Sequence, residues 1–442
     1  MMVKILDNKI LIIGIHVLLG FVVTFLPITK MYSLFIILFG ILIIYKSKNN
    51  DEEALYLISY LVGSEVFIRM SGGTLLYETG KYSLIVFSLL GLFLGVLKNK
   101  SNISFIFYIL LLLVGIIFTD TPQGESIRNA ITFNLSGPIS LGFFALYCFK
   151  RKIYLKQLKK MLFICLLPIF SMISFIYFRT PSLEEMVFGT LSNFVTSGGF
   201  GPNQVATIIG FGAFILGVFL FIRVNLSVYI FLDAIFLSYF IYRGLLTFSR
   251  GGMITAGIAF IIFSLFIILY KKITIVKISK YLFVTMILLL GIWLYTSNVT
   301  GGMIDNRYSG KNSIGIKKKD ISAGRNEIFK SQINNFYNSP FFGIGVGNGK
   351  YIRIESGKKI TAASHNEVSR LIEEHGILGI IALLILLLTP LENIYFSNNY
   401  QRAFLSAFYI FWFLTINHSA MRIAFPAFVY GLSLIRIVPD EE

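Results

Sequence analysis

Runs of apolar residues recur along the whole length of this chain, from Ile10–Leu26 near its start to residues 419–437 near its end. A helix needs roughly 20 such residues to cross the hydrocarbon core of a bilayer, so the runs are long enough to span a membrane. They are continuously apolar and do not alternate with polar residues, which argues against a transmembrane β-barrel. The sequence therefore predicts an all-α fold, a polytopic bundle of transmembrane helices.

Composition agrees with a membrane protein. Of 442 residues, 56% are hydrophobic, whereas a soluble domain is about 45–50% apolar. The net charge of +17 is explained by basic cytoplasmic loops and by attraction to anionic headgroups, and we expect no nucleic-acid partner. The two cysteines, Cys148 and Cys165, lie in apolar runs and form neither a disulfide framework nor a metal motif.

The hydropathy pattern predicts about 12 to 14 membrane helices. They are placed at residues 9–26, 31–45, 54–69, 82–97, 104–119, 131–149, 161–178, 203–222, 226–242, 252–270, 281–297, 376–390, 403–417 and 419–437. The first is expected to be retained and not cleaved as a signal peptide. No internal repeat or separate soluble unit stands out, so residues 1–442 are predicted to form a single transmembrane domain.

The connection after the sixth predicted span sets the predicted orientation. It contains Lys150, Arg151 and Lys152, followed by Lys156, Lys159 and Lys160. Cytoplasmic loops are enriched in lysine and arginine, so we predict that this connection is cytoplasmic. Alternation of the spans then places both termini in the cytoplasm and the long polar segment 299–375 outside.

The polar segment 299–375 interrupts an otherwise hydrophobic sequence. Spanning a bilayer does not require such a segment, so we predict that it binds or reacts with something at the membrane surface. Within it, Arg325–Tyr337 is predicted to be a short helix, because Phe329, Ile333 and Phe336 recur at helical spacing. We expect this apolar stripe to lie on the membrane surface or against the bundle. A second helix is predicted to begin near His365 and to continue into the next span.

Arginines on the predicted outer face are candidates for binding phosphate. Arg243 and Arg250 flank a short gap between two apolar runs, and Arg250 is followed by two glycines that permit close approach. The guanidinium fork matches phosphate oxygens; the alternative is an arginine that reaches lipid phosphate at the membrane edge. Arg325 lies at a predicted helix N-terminus, where an added cation is tolerable if an anion binds nearby. Its alternative is a solvated surface charge.

His365 is a candidate general base, because an imidazole can accept a proton from a sugar hydroxyl near neutral pH. The alternative is a helix-start histidine with a local hydrogen bond. His418 lies in apolar context and is predicted to be packed. No spacing of ligands suits zinc, and we expect no metal or other cofactor.

Two further motifs are interpreted as structural. The glycines at 343, 345, 347 and 349 lack the context of a phosphate-binding loop and are predicted to form a flexible turn. Glu367, Arg370, Glu373 and Glu374 are spaced for salt bridges on a helix surface, so we do not interpret them as catalytic acids.

The order of these motifs resembles the O-antigen ligase/polymerase family. Ser249-Arg250-Gly251-Gly252 opens a membrane helix, Gly324-Arg325 follows, then Ser339-Pro340-Phe341-Phe342-Gly343-Ile344-Gly345, and then His365-Asn366, nine residues and Gly376. The segment Gly198–Gln204 before a span is also similar. The resemblance covers roughly residues 195–385.

The resemblance implies an inverting, metal-independent glycosyltransferase with a GT-C-like helical architecture in the bacterial cytoplasmic membrane. Its donor would be an undecaprenyl-diphosphate-linked glycan, and its acceptor either another lipid-linked repeat unit or the lipid A core. By motif match, Arg250 and Arg325 would contact the donor diphosphate, His365 would be the base and Asn366 would orient it. Arg243, Asn203 and Gln204 are further substrate-binding candidates. Other polysaccharide export proteins would be partners.

One departure from the family pattern favours a polymerase over a ligase. The threonines often found after the ligase motif's glycine are missing, since Gly376 is followed by Ile377-Leu378-Gly379. The alternative function is a flippase for lipid-linked oligosaccharides or a polysaccharide transporter, which should carry charges at mid-membrane depth and related halves. A scaffold without catalytic activity in a glycan-export complex is a third possibility, but it does not explain the arginine and histidine set.

Overall fold

The structure is a computed structural model that describes residues 8–95, 103–227, 229–320, 322, 324–355 and 364–440. In these residues the chain forms 17 α-helices, two short 3₁₀ turns and two three-residue strands. The helices are α1 (Lys9–Phe25), α2 (Thr29–Ser47), α3 (Glu53–Met70), α4 (Thr79–Leu94), α5 (Ile103–Ile117), α6 (Ile127–Cys148), α7 (Leu155–Arg179), α8 (Pro202–Ile222), α9 (Ile230–Leu246), α10 (Arg250–Lys271), α11 (Ile275–Val299), α12 (Met303–Tyr308), α13 (Arg325–Asn338), α14 (Gly349–Glu355), α15 (Glu367–Tyr395), α16 (Asn399–His418) and α17 (Phe425–Leu432). The predicted all-α, polytopic membrane fold is confirmed.

Seven helices of the described chain are long and apolar enough to cross a membrane: α2, α6, α7, α8, α10, α11 and α15. Three more apolar helices, α1, α4 and α5, are shorter. Thirteen of the fourteen predicted spans coincide with a helix of the structure, namely α1–α11, α15 and α16. The predicted bounds 82–97 extend beyond the described residues, which stop at 95.

The fourteenth predicted span, residues 419–437, is wrong as a continuous helix. Only Phe425–Leu432 is helical, and these eight residues are about 12 Å long, less than half of the ~30 Å hydrocarbon core. Every residue of α17 is buried, and the backbone N–H of Ala424 donates to Glu65 Oε2 at 2.7 Å. Irregular backbone is tolerated at membrane depth when protein encloses it and satisfies its polar groups, which is the case here.

The helices alternate in direction, so the bundle has two distinct ends. At the basic end, Arg151 pairs with Glu52 at 2.5 Å, and strand β1 (Lys152–Tyr154) pairs in parallel with β2 (Arg436–Val438). The described residues of segment 299–375 lie at the other end, called the loop end here, where the backbone N–H of Ala420 bonds to His365 O. The predicted alternation is thus present in the structure; which end faces the cytoplasm stays a prediction.

Helix α13 has the predicted bounds to within a residue, but its buried face is not the predicted apolar stripe. Phe329 is 48% exposed. Apart from Ile328, the buried residues of the helix are polar, and Gln332 Nε2 and Asn335 Nδ2 donate to the carboxylate of Glu373 at 2.9 and 2.7 Å. Hydrogen bonds to the start of α15 therefore hold this helix against the bundle, and α13 is attached through its polar residues.

The glycine-rich turn is close-packed, so the prediction of a flexible turn is wrong. Gly345 has φ +87°, and a Cβ there would lie 2.1 Å from Phe118 O. The N–H groups of Ile344 and Gly345 bond to the carbonyls of Glu373 and Glu374. Protein carbonyls already accept these N–H groups, which supports the prediction that the turn is not a phosphate-binding loop.

Helix α15 begins near His365 as predicted and bends at Gly376, where φ is +60° and ψ is −135°. The predicted salt bridges before this bend form, but they are buried and not on the surface. Arg370 pairs with Glu367 and, at 2.6 Å, with Glu374, and all three side chains are at most 4% exposed. Helix α13 and the start of α6 cover this part of α15, which the helical spacing could not reveal.

Candidate active site

The first turn of α10 fixes Arg250 at the loop end. Phe248 adopts a left-handed conformation with φ +54°, which turns the chain from α9 into α10. The Oγ of Ser249 donates to Asn203 Oδ1 at 2.8 Å and ties this turn to the start of α8. A Cβ added to Gly251 would lie 2.4 Å from the ring of His418. Glycine is therefore required after Arg250, because α16 brings an imidazole against the helix backbone.

Four cations converge beside this turn, and we call Arg250, Arg307, Lys318 and Arg325 the cationic cluster. The Nε of Arg307 donates to Phe248 O at 3.0 Å, and its Nη1 donates to Thr190 O at 3.1 Å. Lys318 Nζ also donates to Thr190 O, at 3.2 Å. Backbone carbonyls of the turn and of the segment after α7 therefore hold two of the four cations in place.

The four charges act on each other. Burial, followed by the charges of Arg250 and Arg325, lowers the pKa of Arg307. Partial burial and the charge of Arg250 lower the pKa of Arg325. Loss of water contact, followed by the charges of Arg307 and Arg250, lowers the pKa of Lys318. Neighbouring like charges raise the free energy of the charged state. An anion bound to the cluster would offset this repulsion, so the cluster favours anion binding.

Among the described residues, no ion pair links the cationic cluster to a carboxylate. The salt bridges of the described chain involve other cations: Arg69, Lys81, Lys150, Arg151, Arg353 and Arg370. Asp320 lies in the same segment as Arg325 but accepts hydrogen bonds from Ser322 and from the backbone N–H of Gly324. The cluster thus presents positive charge that the surrounding protein does not neutralise.

His365 is half-buried beside the cluster. Burial, followed by the charges of Arg325, Arg422 and His418, lowers the pKa of His365 to about 4. The imidazole is therefore neutral at pH 7 and can accept a proton. Its backbone is fixed from both sides, since Ala420 N donates to His365 O at 3.0 Å and Arg422 Nη2 donates to Ser364 O at 2.8 Å.

Asn366 follows His365 and caps helix α15. Its Oδ1 accepts from the backbone N–H of Ser369 at 3.1 Å, and its Nδ2 donates to Asn417 Oδ1 at 3.0 Å. Its amide thus bonds at both ends to α15 and α16. These hydrogen bonds fix the backbone next to His365. Asn366 was predicted to orient the imidazole, and it would do so by holding this backbone in place.

His418 is packed, as predicted, against the backbone at Gly251, and its ring nitrogens also have polar neighbours. Its Nε2 lies 3.3 Å from Thr207 Oγ1, its Nδ1 lies 2.8 Å from Leu414 O, and its charge acts on His365. Arg307, Lys318 and Arg422 also belong to this region, although the sequence did not single them out as site residues. One signal was present: Arg307 lies in the same polar segment as Arg325.

The three remaining predicted contacts lie in different surroundings. Asn203 bonds to Ser249 beside the cluster, and Gln204 lies next to it in the first turn of α8. Arg243 is 3% exposed, donates to Thr180 Oγ1 at 3.1 Å and interacts with Tyr177, Tyr239 and Tyr242. Among the described residues, none of these contacts of Arg243 involves the cationic cluster or His365.

A cavity of about 750 Å³ at the loop end reaches the residue that precedes His365. The starts of α6, α14 and α15 line it, and Ser364 is part of its wall. Its wall carries aromatic, amide and carboxylate side chains as well as cations. The loop end therefore holds two features near His365, a cationic cluster whose Arg325 acts on the imidazole and a mixed polar cavity that includes Ser364.

Comparison with known families agrees with the resemblance predicted from the motifs. Residues 234–384 match the family model of O-antigen ligase (Wzy_C), and this confirms the predicted O-antigen ligase/polymerase resemblance over that region. The match contains Arg243, Arg250, Arg325, His365 and Asn366, whereas Asn203 and Gln204 precede it. The long apolar helices make the protein a multi-pass membrane protein, and the matched family is a ligase and glycosyltransferase-like enzyme class. A search of curated proteins returned no match.

Proposed function

We propose that this protein transfers a glycan from undecaprenyl diphosphate to an acceptor hydroxyl on the outer face of the bacterial cytoplasmic membrane. The acceptor is a lipid-linked repeat unit in a polymerase or the lipid A core in a ligase. The family match supports activity of the O-antigen ligase and polymerase type. The single observation that carries the proposal is the cationic cluster, which has no carboxylate partner among the described residues and lies beside a neutral histidine.

The donor diphosphate is assigned to the cationic cluster. A diphosphate has several acceptor oxygens and negative charge, and guanidinium forks bind such oxygens bidentately. Helices α10 and α13 begin at Arg250 and Arg325. Their N-termini add partial positive charge to the cluster. Fixed cations that offset charge on the leaving diphosphate would take the part a metal ion plays in other transferases.

His365 is assigned as the general base. The acceptor oxygen attacks the anomeric carbon, the bond from that carbon to the diphosphate oxygen breaks, and the leaving diphosphate takes the electron pair. The proton of the acceptor hydroxyl goes to His365, which is neutral at pH 7 because its pKa is about 4. Attack opposite to the leaving group inverts the anomeric configuration. Asn366 has a positioning part, through the start of α15.

The bound donor would also strengthen the base. Positive charge on Arg325 and Arg422 contributes to the lowered pKa of His365, and a diphosphate on the cluster offsets part of that charge. The proton affinity of His365 is therefore expected to rise when the donor binds. Proton transfer would then be favoured in the complex that contains the donor.

The proposal is tested with purified protein reconstituted in lipid nanodiscs. A lipid-diphosphate oligosaccharide is supplied with either a second lipid-linked unit or lipid A core, in the presence of a chelator of divalent metals. We expect a longer glycan with one of the two acceptors and an inverted linkage by NMR. Formation of no product with either acceptor, or product only after a divalent metal is restored, would overturn the proposed chemistry.

Matched variants separate binding from folding in this assay. Arg250→Ala removes one cation of the cluster, whereas Lys330→Ala removes an exposed cation from α13, the same helix that begins with Arg325. We expect product from Lys330→Ala and almost none from Arg250→Ala at equal protein level. Equal product from both variants would remove Arg250 from the donor site.

A further inference from the structure

The cavity beside His365 differs in charge from the cationic cluster. Its ionisable lining consists of three carboxylates and three cations, so their formal charges cancel: Glu125, Glu373, Glu374, Lys350, Arg353 and Arg370. Most of these groups are held by the protein, since Glu373 accepts from Gln332 and Asn335 and Arg370 pairs with Glu374. A diphosphate would gain far less here than on the cluster, so the cavity suits an uncharged, polar ligand.

Aromatic rings form part of the cavity wall. Tyr77 is 66% exposed, and its ring centroid lies 6.3 Å from that of Phe133. Tyr351 lines the same space and donates through its hydroxyl to Glu125 Oε2 at 3.1 Å. The flat faces of aromatic rings bind the C–H faces of sugar rings. Tyrosine combines an apolar ring with a polar hydroxyl, which suits a site that is partly open to water.

Hydrogen-bonding groups accompany the rings. Asn129 lines the cavity and is exposed, so its amide can both donate to and accept from sugar hydroxyls. The volume, about 750 Å³, falls in the range of roughly 300–1,000 Å³ typical of ligand pockets. Size, charge balance and lining therefore fit an oligosaccharide better than a lipid tail or a phosphate.

The cavity borders the proposed base. Ser364 is part of its wall and directly precedes His365. Phe133 is part of the wall as well, and the guanidinium of Arg422 stacks on its ring at 4.0 Å. The same guanidinium donates to Ser364 O at 2.8 Å and acts on His365. This edge of the cavity is therefore formed by the residue that directly precedes His365.

We propose that this cavity binds the terminal sugars of the acceptor glycan and presents one hydroxyl to His365. The inference rests on the proposed transfer reaction and deepens it, because it gives donor and acceptor separate sites: no residue of the cationic cluster lines the cavity. The glycan could come from a lipid-linked repeat unit or from lipid A core, and both sources share the chemistry of a short oligosaccharide.

Direct binding tests the proposal without requiring transfer. Two soluble probes are used: the oligosaccharide released from the lipid-linked repeat unit by mild acid, and the delipidated core oligosaccharide. Each is titrated against the full-length protein in nanodiscs by saturation-transfer NMR. We expect one probe to bind saturably, with a Kd of roughly 1 mM or tighter. Saturable binding of neither probe would overturn the acceptor cavity.

Variants locate the binding. Tyr77→Ala removes an exposed ring, and Asn129→Leu removes an exposed amide; each is expected to weaken binding about tenfold or more. Tyr337→Ala is the matched control, because Tyr337 is 73% exposed on α13 and is not among the residues that line the cavity. Arg250→Ala should bind the probe like the wild type. Unchanged binding in both cavity variants would place the glycan elsewhere.

Failure of the transfer reaction is distinguishable from failure of this inference. If the protein binds the probe but transfers no glycan, the cavity stands and the catalytic assignment falls. If it transfers glycan while Tyr77→Ala and Asn129→Leu retain the acceptor KM of the wild type, the cavity assignment falls and the reaction stands.

Discussion

Arginines occur in two contrasting settings at the loop end of this molecule. Arg370 is buried and pairs with Glu367 and Glu374, and Arg69, at the end of α3, pairs with Glu65 and Glu78 at 3.0 and 2.9 Å. The cationic cluster has no such carboxylate partner in the described chain, and its arginines are half-buried or exposed.

The difference separates arginines that hold the fold from arginines available to a ligand. A buried guanidinium with two carboxylates cannot leave them without a large free-energy cost. A cation with only backbone carbonyls or like charges around it can exchange water for an anion. Residue type and membrane depth do not distinguish the two settings; the presence of carboxylates in contact does. The following substitutions test that distinction, from the largest expected effect to the smallest.

Arg370→Ala is expected to unfold much of the protein. It leaves Glu367 and Glu374 buried without a counter-charge, and breaking such a pair costs about 3–5 kcal/mol. Thermal unfolding in detergent, followed by circular dichroism, measures the loss. For Arg325→Ala, in the cluster, the free energy of unfolding should lie within about 0.5 kcal/mol of the wild-type value. Equal stability of the two variants would break the comparison.

Arg250→Ala and Arg325→Ala are expected to reduce glycan transfer by roughly 10²–10³-fold, the effect of losing one preorganised group that stabilises developing negative charge. Lysine at either position should restore little activity, because an ammonium lacks the planar fork. Initial rates with a lipid-diphosphate glycan measure the effect, with Lys330→Ala as control. Full activity of either lysine variant would show that point charge alone suffices.

His365→Ala is expected to lower kcat about 100-fold, since a general base contributes at least that much. The donor Kd should stay near the wild-type value, because the cluster is intact. Single-turnover rates and donor binding, measured separately, give the two numbers. A variant that loses donor affinity and keeps its rate of chemistry would make His365 a binding residue.

The pH dependence should be the smallest effect. His365 is deprotonated above its pKa of about 4, so kcat/KM should hold from pH 7 to pH 5 and fall as the pH approaches 4. The limb in kcat should lie at higher pH, because a bound diphosphate offsets the cations that lower this pKa. A kcat/KM limb centred near the ordinary histidine value of about 6.5 would contradict the electrostatic environment described for His365.

Hydropathy was sufficient to predict the membrane helices but not how the last crossing is built. Apolar runs mark α1–α11, α15 and α16 because lipid contact requires continuous apolar sequence. Segment 419–437 is equally apolar, yet protein and not lipid surrounds it, so the same composition forms only a short helix. The polar attachment of α13 was also beyond the pattern, since Gln332 and Asn335 meet Glu373 only through tertiary structure.

The candidate site shows a similar division. The motif order indicated Arg250, Arg325 and His365, and the structure brings these three side chains close enough for their charges to interact through the cluster. The positions of His418 and Lys318 beside the site were not predicted, because nothing near them in the sequence indicates such a position. They reach the site only through long-range packing, by α16 against Gly251 and by a loop carbonyl at Thr190. The functions assigned to all of these residues stay predictions.

The enclosure of α17 bears on how the protein is assembled. Because none of its residues contacts lipid, this final crossing cannot be stabilised by the bilayer in the way a free-standing helix is. Helices that precede it in the chain enclose it, and the N–H of Ala424 is satisfied only when Glu65 is in place to accept it. A chain that ends near residue 418 would therefore insert its preceding helices in the membrane but lack the buried helix α17 that packs among them.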